Sequence, residues 1–106
     1  MIVKHIAKWK TEVSPRKKVQ MRRRHRIGTL IAYKERDNIK FGWSLVNFTE
    51  GDKFNNATGV EEATKRAITI HALNDGRFID SLPVKIKNEL PVFRKRIAEY
   101  FKIQPF

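Results

Sequence analysis

The chain has 106 residues and not one cysteine. That excludes a disulfide-stapled secreted scaffold and any zinc site built on thiolates. Proline and glycine are sparse, with four and five copies, and they gather into no linker. No internal repeat or low-complexity tract occurs either, so one domain spanning residues 1–106 is predicted. Long apolar runs are also missing. Nothing approaches the roughly 20 residues of a membrane span. The opening Met-Ile-Val-Lys-His-Ile-Ala-Lys-Trp-Lys lacks the apolar stretch of a signal peptide. A cytoplasmic protein with no membrane partner is the expectation.

Acidic side chains are the other scarcity. Eleven Asp and Glu face 23 Lys and Arg, for a formal net charge of +12. A charge of that size on so short a chain favours polyanionic partners, nucleic acid first among them. The imbalance is local. Residues 1–40 hold 13 basic and 3 acidic side chains, whereas residues 41–81 hold 4 and 6. The N-terminal part therefore carries the electrostatic character.

Hydrophobic residues make up 41% of the chain and include seven Phe and two Trp, enough for a core without metal or disulfide support. Residues 2–13 alternate, with Val3, Ala7, Trp9 and Val13 on one parity and Lys4, Lys8, Lys10 and Glu12 on the other. This period of two predicts a half-buried strand, broken by Ser14-Pro15. A second strand is predicted over 19–34, with a bulge or bend at Gly28, and a third over 39–48. Thr58-Gly59-Val60-Glu61 fits a capping box, and Val60, Ala63, Ala67, Ile70 and Leu73 follow at helical spacing, predicting a helix over 59–73. Asn74-Asp75-Gly76 reads as its stop. Pro91 divides the C-terminal stretch into a helical turn over 83–89 and a helix over 91–102. The predicted fold is α+β, a three-stranded antiparallel sheet followed by two helices on one face, in the order β-β-β-α-α. Its predicted core is Trp9, Ile31, Phe41, Trp43, Ala67, Ile70, Phe93, Ile97 and Phe101.

If helices cover one face, the other is open, and strand parity assigns its residues. That face would carry Lys4, Lys8 and Lys10, then Arg22, Arg24 and Arg26, then Lys34 and Lys40. A flat cationic surface can follow a phosphate backbone, and the guanidinium fork matches phosphate geometry. Seven cations fall among residues 16–26, namely Arg16, Lys17, Lys18, Arg22, Arg23, Arg24 and Arg26. Arg23 and His25 have the wrong parity for the open face. A hairpin arm projecting past the sheet, with its tip at Ser14-Pro15-Arg16-Lys17-Lys18, accounts for them, and basic two-stranded arms enter DNA grooves. Arg94-Lys95-Arg96 with Lys85, Lys87 and Lys102 reads as the solvated face of a helix. No aromatic shares the parity of the basic face, which favours a duplex over a single strand.

Nothing in the chain assembles a catalytic site. His5, His25 and His71 lie far apart without metal-ligand spacing, and there is no Gly-rich phosphate loop. Asp52, Glu61 and Glu62 are the only acidic group near a turn that could hold a metal, and Glu61 is taken by the capping box. No cofactor is predicted.

Phe41-Gly42-Trp43-Ser44, Asp52-Lys53-Phe54-Asn55 and the run from Gly59 through Ala67 resemble small bacteriophage open reading frames of unassigned function. That resemblance implies a phage or prophage source. The strand order followed by Gly59, Ala63, Lys65, Ala67 and Ala72-Leu73 is also similar to the closing half of double-stranded-RNA-binding domains. It departs from them at Glu61-Glu62, where that family places lysines, and in lacking a leading helix. Two functions are therefore expected. One is a non-enzymatic protein that binds nucleic acid along its backbone with little sequence specificity. The alternative is a phage protein that binds and inhibits or redirects a host protein or nucleoprotein complex.

Overall fold

The alternating N-terminal half forms three long strands in the computed structural model. The structure describes residues 1–13, 20–46 and 55–104, and at 9–13, 20–25 and 56 it describes the backbone alone. Strand β1 (Ile2–Val13) pairs antiparallel with β2 (Gln20–Glu35). Strand β2 turns through Arg36-Asp37, with Arg36 at φ 56°, into β3 (Asn38–Leu45). Helix α1 (Asn56–Lys65) precedes a two-residue β4 (Ile68–Thr69), which pairs with Lys40 and Phe41 and completes a sheet of order β1-β2-β3-β4. A 3-10 turn (Ile70–Asn74) then leads to α2 (Gly76–Ser81), α3 (Val84–Lys87) and α4 (Leu90–Phe101).

The molecule is thus α+β with an antiparallel sheet, but the order β-β-β-α-α is too simple, and local chemistry explains each departure. The helix expected over 59–73 stops at Lys65, where the Arg66 N–H bonds back to the Glu62 and Ala63 carbonyls. The β-branched run Ile68-Thr69-Ile70 follows and favours extended backbone, so two of its residues add to the sheet edge. The cap of α1 is Asn55 and not Thr58. Asn55 Oδ1 accepts from the Thr58 N–H at 3.1 Å. Glu61, expected to complete a capping box, instead lies 3.7 Å from Lys65 Nζ, beside Glu62 at 3.2 Å. Asn74-Asp75-Gly76 does end one element, but it also starts another, because Asp75 Oδ1 accepts from the Arg77 N–H at 2.9 Å and caps α2. Pro91 sits in the first turn of α4, where a missing N–H costs nothing.

Both faces of the sheet are covered. On one, Ile2, Ile6, Leu30, Ala32 and Phe41 pack against Ile70, Leu73, Leu82, Ile86, Leu90, Phe93 and Ile97. The Phe41 and Phe93 rings meet at 6.0 Å, tilted by 58°. Burying each such side chain contributes about 1.5–3 kcal/mol. On the opposite face α1 lies directly over Thr29, Ile31, Gly42 and Ser44. Small residues make that approach possible. A Cβ at Gly42 would overlap the Ala63 carbonyl, and one at Gly59 would stand 2.5 Å from Thr29 Oγ1. Ser44 Oγ donates to the Gly59 carbonyl at 2.8 Å and locks the seam.

The helices were expected on one face only, and this seam overturns the open basic face across β2 and β3. The predicted parity of β1 also reverses within the body. Ile2 and Ile6 are buried, while Val3 and Ala7 are half-buried. Lys4 shares the row of Ile2 and Ile6, and its long stem brings Nζ out to Glu89 Oε2 at 2.7 Å. Of the predicted core, Ile31, Phe41, Ile70, Phe93 and Ile97 are buried. Trp43, Ala67 and Phe101 are half-buried, and the Trp9 side chain lies outside the described residues.

Candidate nucleic-acid interface

The sheet is three strands wide only as far as the Gly28–Leu45 pair. There the register of β1 with β2 shifts. Ile6 pairs with Gly28 but Ala7 pairs with Arg26, which leaves Ile27 as the extra residue of a β-bulge. Ile27 is buried in the core, and its carbonyl accepts from the Val46 N–H at 2.9 Å. The bulge falls one residue before the predicted Gly28. Beyond it, from Ala7–Arg26 to Val13–Gln20, β1 and β2 continue as a two-stranded ribbon for seven pairs without β3. At about 3.3 Å per residue the ribbon reaches roughly 20 Å past the sheet. The molecule accordingly measures 55 Å along its long axis against 25 Å in the other two.

The shifted register decides which residues of the ribbon belong together. One row of the ladder runs Ala7–Arg26, Trp9–Arg24, Thr11–Arg22 and Val13–Gln20, and the other runs Lys8–His25, Lys10–Arg23 and Glu12–Met21. Directly opposed residues share a side of an antiparallel pair, and successive pairs alternate sides. Lys8 and Lys10 were expected to join Arg22, Arg24 and Arg26 on one surface. The bulge separates them by offsetting the count between the strands by one. Arg23 and His25, which had the wrong parity for that surface, fall in the row of Lys8 and Lys10. The same offset corrects the expectation that no aromatic accompanies the basic row, because Trp9 stands opposite Arg24.

The remaining predicted residues do not join this ribbon. Arg16, Lys17 and Lys18 lie outside the described residues. Lys34 and Lys40 are near the opposite end of the sheet, where Lys34 pairs with Ile39, and Lys40 with Tyr33 and Thr69. Ten positions along β2 separate Lys34 from Arg24, on the order of 30 Å of strand. Lys8 and Arg26 are exposed at the ribbon's base. Below Arg26, His5 Nδ1 lies 3.0 Å from Thr29 Oγ1, and burial, then the Arg26 charge, hold the imidazole below its ordinary 6.5.

The C-terminal cations are partly structural. Arg94 donates to the Leu73 carbonyl at 2.8 Å and to Asn74 Oδ1 at 3.0 Å, which ties α4 to the 3-10 turn. Arg96 Nη1 reaches the Val3 carbonyl at 3.4 Å. At the other sheet edge the Arg66 guanidinium stands 4.6 Å from the centre of the Trp43 ring, a cation–π contact that parity could not foresee. Among the described residues no helix is long and apolar enough to cross a membrane. No family model matches the chain, and no curated protein or solved structure matches it either.

Proposed function

We propose that this is a non-enzymatic nucleic-acid-binding protein that seats its β1–β2 ribbon in a duplex groove and grips the phosphates of both walls. The carrying observation is the register, which distributes the cations of the ribbon over both of its rows. A protein lying on a phosphate surface needs one basic side. A ribbon inserted between two strands needs two. The major groove of B-form DNA is about 12 Å wide and admits a two-stranded ribbon. Residues 7–13 and 20–26 hold six cations, Lys8, Lys10, Arg22, Arg23, Arg24 and Arg26, against one carboxylate, Glu12. Contacts of this kind supply affinity and orientation but little sequence reading.

Each phosphate neutralised releases condensed counterion, so affinity falls with salt at a log–log slope near −0.9 per contact on duplex DNA. Fluorescence anisotropy with a labelled duplex across a salt series measures that slope. Replacing Arg22, Arg24 and Arg26 with Ala should make it shallower by roughly two to three, and replacing Lys10 and Arg23 by roughly two, with melting unchanged in both cases. If only one of the two variants moves the slope, the ribbon lies on a surface and does not enter a groove. If neither does, and a protein partner survives nuclease treatment in a pull-down, the host-complex reading replaces this one.

A further inference from the structure

Where the ribbon leaves the body, on the side of α3, the surface folds into a groove of about 240 Å³ lined by Ile6, Ala7, Lys8, Ile27, Lys85, Asn88 and Glu89. The hairpin supplies its apolar floor, with Ile6 and Ile27 buried beneath it. Two cations flank it, Lys8 from β1 and Lys85 from α3, both exposed. The one carboxylate present, Glu89, is already engaged by Lys4 at 2.7 Å, so it subtracts little from their field. Asn88, exposed at the end of α3, adds a neutral side-chain amide donor. A cationic groove with an amide donor and an apolar floor suits one phosphodiester group, with the sugar against the isoleucines.

We infer that this groove is a second phosphate subsite, which extends the ribbon's contact onto the helical body. The inference rests on the proposed binding of nucleic acid by the ribbon. The register supplies the continuity. Lys8 belongs to the row of Lys8–His25 and Lys10–Arg23, and it also lines the groove. One backbone wall followed along that row, in steps of roughly 7 Å, arrives at Lys85 without changing sides. Lys85, expected on the solvated face of a helix, becomes part of the interface by lining the same groove as Lys8.

The two groove residues are expected to fail differently. In the same anisotropy series, Lys85→Ala should lower affinity several-fold and make the slope shallower by about one, whereas Lys85→Arg should keep the parent slope. Asn88→Ala should lower affinity and leave the slope unchanged, since a neutral donor releases no counterion. Lys95→Ala, an exposed cation elsewhere on α4, should bind as the parent does. Melting curves confirm that each variant is folded. If Lys85→Ala binds like the parent while the Arg22/Arg24/Arg26 variant loses affinity, the groove is not a subsite and the ribbon reading stands. If Lys95→Ala loses as much as Lys85→Ala, only the general field of the protein is felt and the subsite is overturned. Absence of binding by the parent protein overturns the ribbon reading and the subsite together.

Discussion

Between Ile2 and Ile6, β1 is the edge of a sheet packed on both faces; between Ala7 and Val13 it pairs with a part of β2 that has no β3 beyond it. The two halves of this strand have similar alternation and opposite circumstances. In the body, parity is enforced by burial. A one-residue slip would turn Ile2 and Ile6 away from Phe93 and Ile97. In the ribbon no such enforcement comes from β3 or α1, and charge is distributed over both rows. The body holds the ribbon's base in place, and in the proposed function the ribbon bears the partner. Mutations in the two regions should accordingly separate into those that change melting and those that change salt dependence.

The largest effect belongs to the body. Phe93→Ala removes a fully buried ring from contact with Phe41 and should cost about 3–5 kcal/mol in denaturant unfolding, while the protein that remains folded binds with an unaltered salt slope. A changed slope in that variant would mean that the ribbon is shaped by the distant core. Next comes the seam under α1. Gly42→Ala forces a methyl group onto the Ala63 carbonyl and should cost on the order of 1–3 kcal/mol, read as a lowered melting midpoint. A neutral result there would show that α1 can lift from the sheet at little cost.

The smallest effect lies at the junction of the two regions. His5 titrates below 6.5 in the folded protein, so below that pH the unfolded chain binds more protons than the folded one. Stability should therefore be complete above 6.5 and decline as pH falls through the depressed folded value. His5→Gln should flatten this part of a melting-against-pH profile measured between about pH 5 and pH 8. A profile identical to the parent's would place the titration elsewhere.

The strands were legible because period two is a strong signal wherever one side is apolar. The bounds 2–13, 19–34 and 39–48 came within a few residues of those found. The faces were less legible. Gly42 and Ser44 have a polar parity, yet they are buried under α1 beside Thr29. What marks them is size. Gly42, Ser44 and Thr29, facing Gly59 and Ala63 four residues apart on a helix, describe close packing and not solvent. In β1 both parities are apolar near the start, and the lysines at 4, 8 and 10 directed attention to the wrong one. The basic hairpin was legible from charge density and from the break that Ser14-Pro15 makes in the alternation, residues that themselves lie outside the described ones. Its rows were not, because a bulge is a property of two strands together, and neither strand alone contains the offset. The groove under Lys85 joins residues almost eighty positions apart in the chain, a proximity that no local pattern encodes.

The bulge at Ile27 gives the molecule a switch of phase. Upstream and downstream of it the hairpin obeys the same two-residue rhythm, but the two rhythms are half a period out of step. Were the ladder to run on from Ile6–Gly28 without the extra residue, Ala7 would meet Ile27. Arg26, Arg24 and Arg22 would then stand opposite Lys8, Lys10 and Glu12, all on a single side. Composition, net charge and sequence would be identical, yet five of the six cations would crowd onto one side and leave Arg23 alone on the other. The spread of the ribbon's charge over two rows is thus written in the parity of a residue count, and a single buried isoleucine keeps it odd.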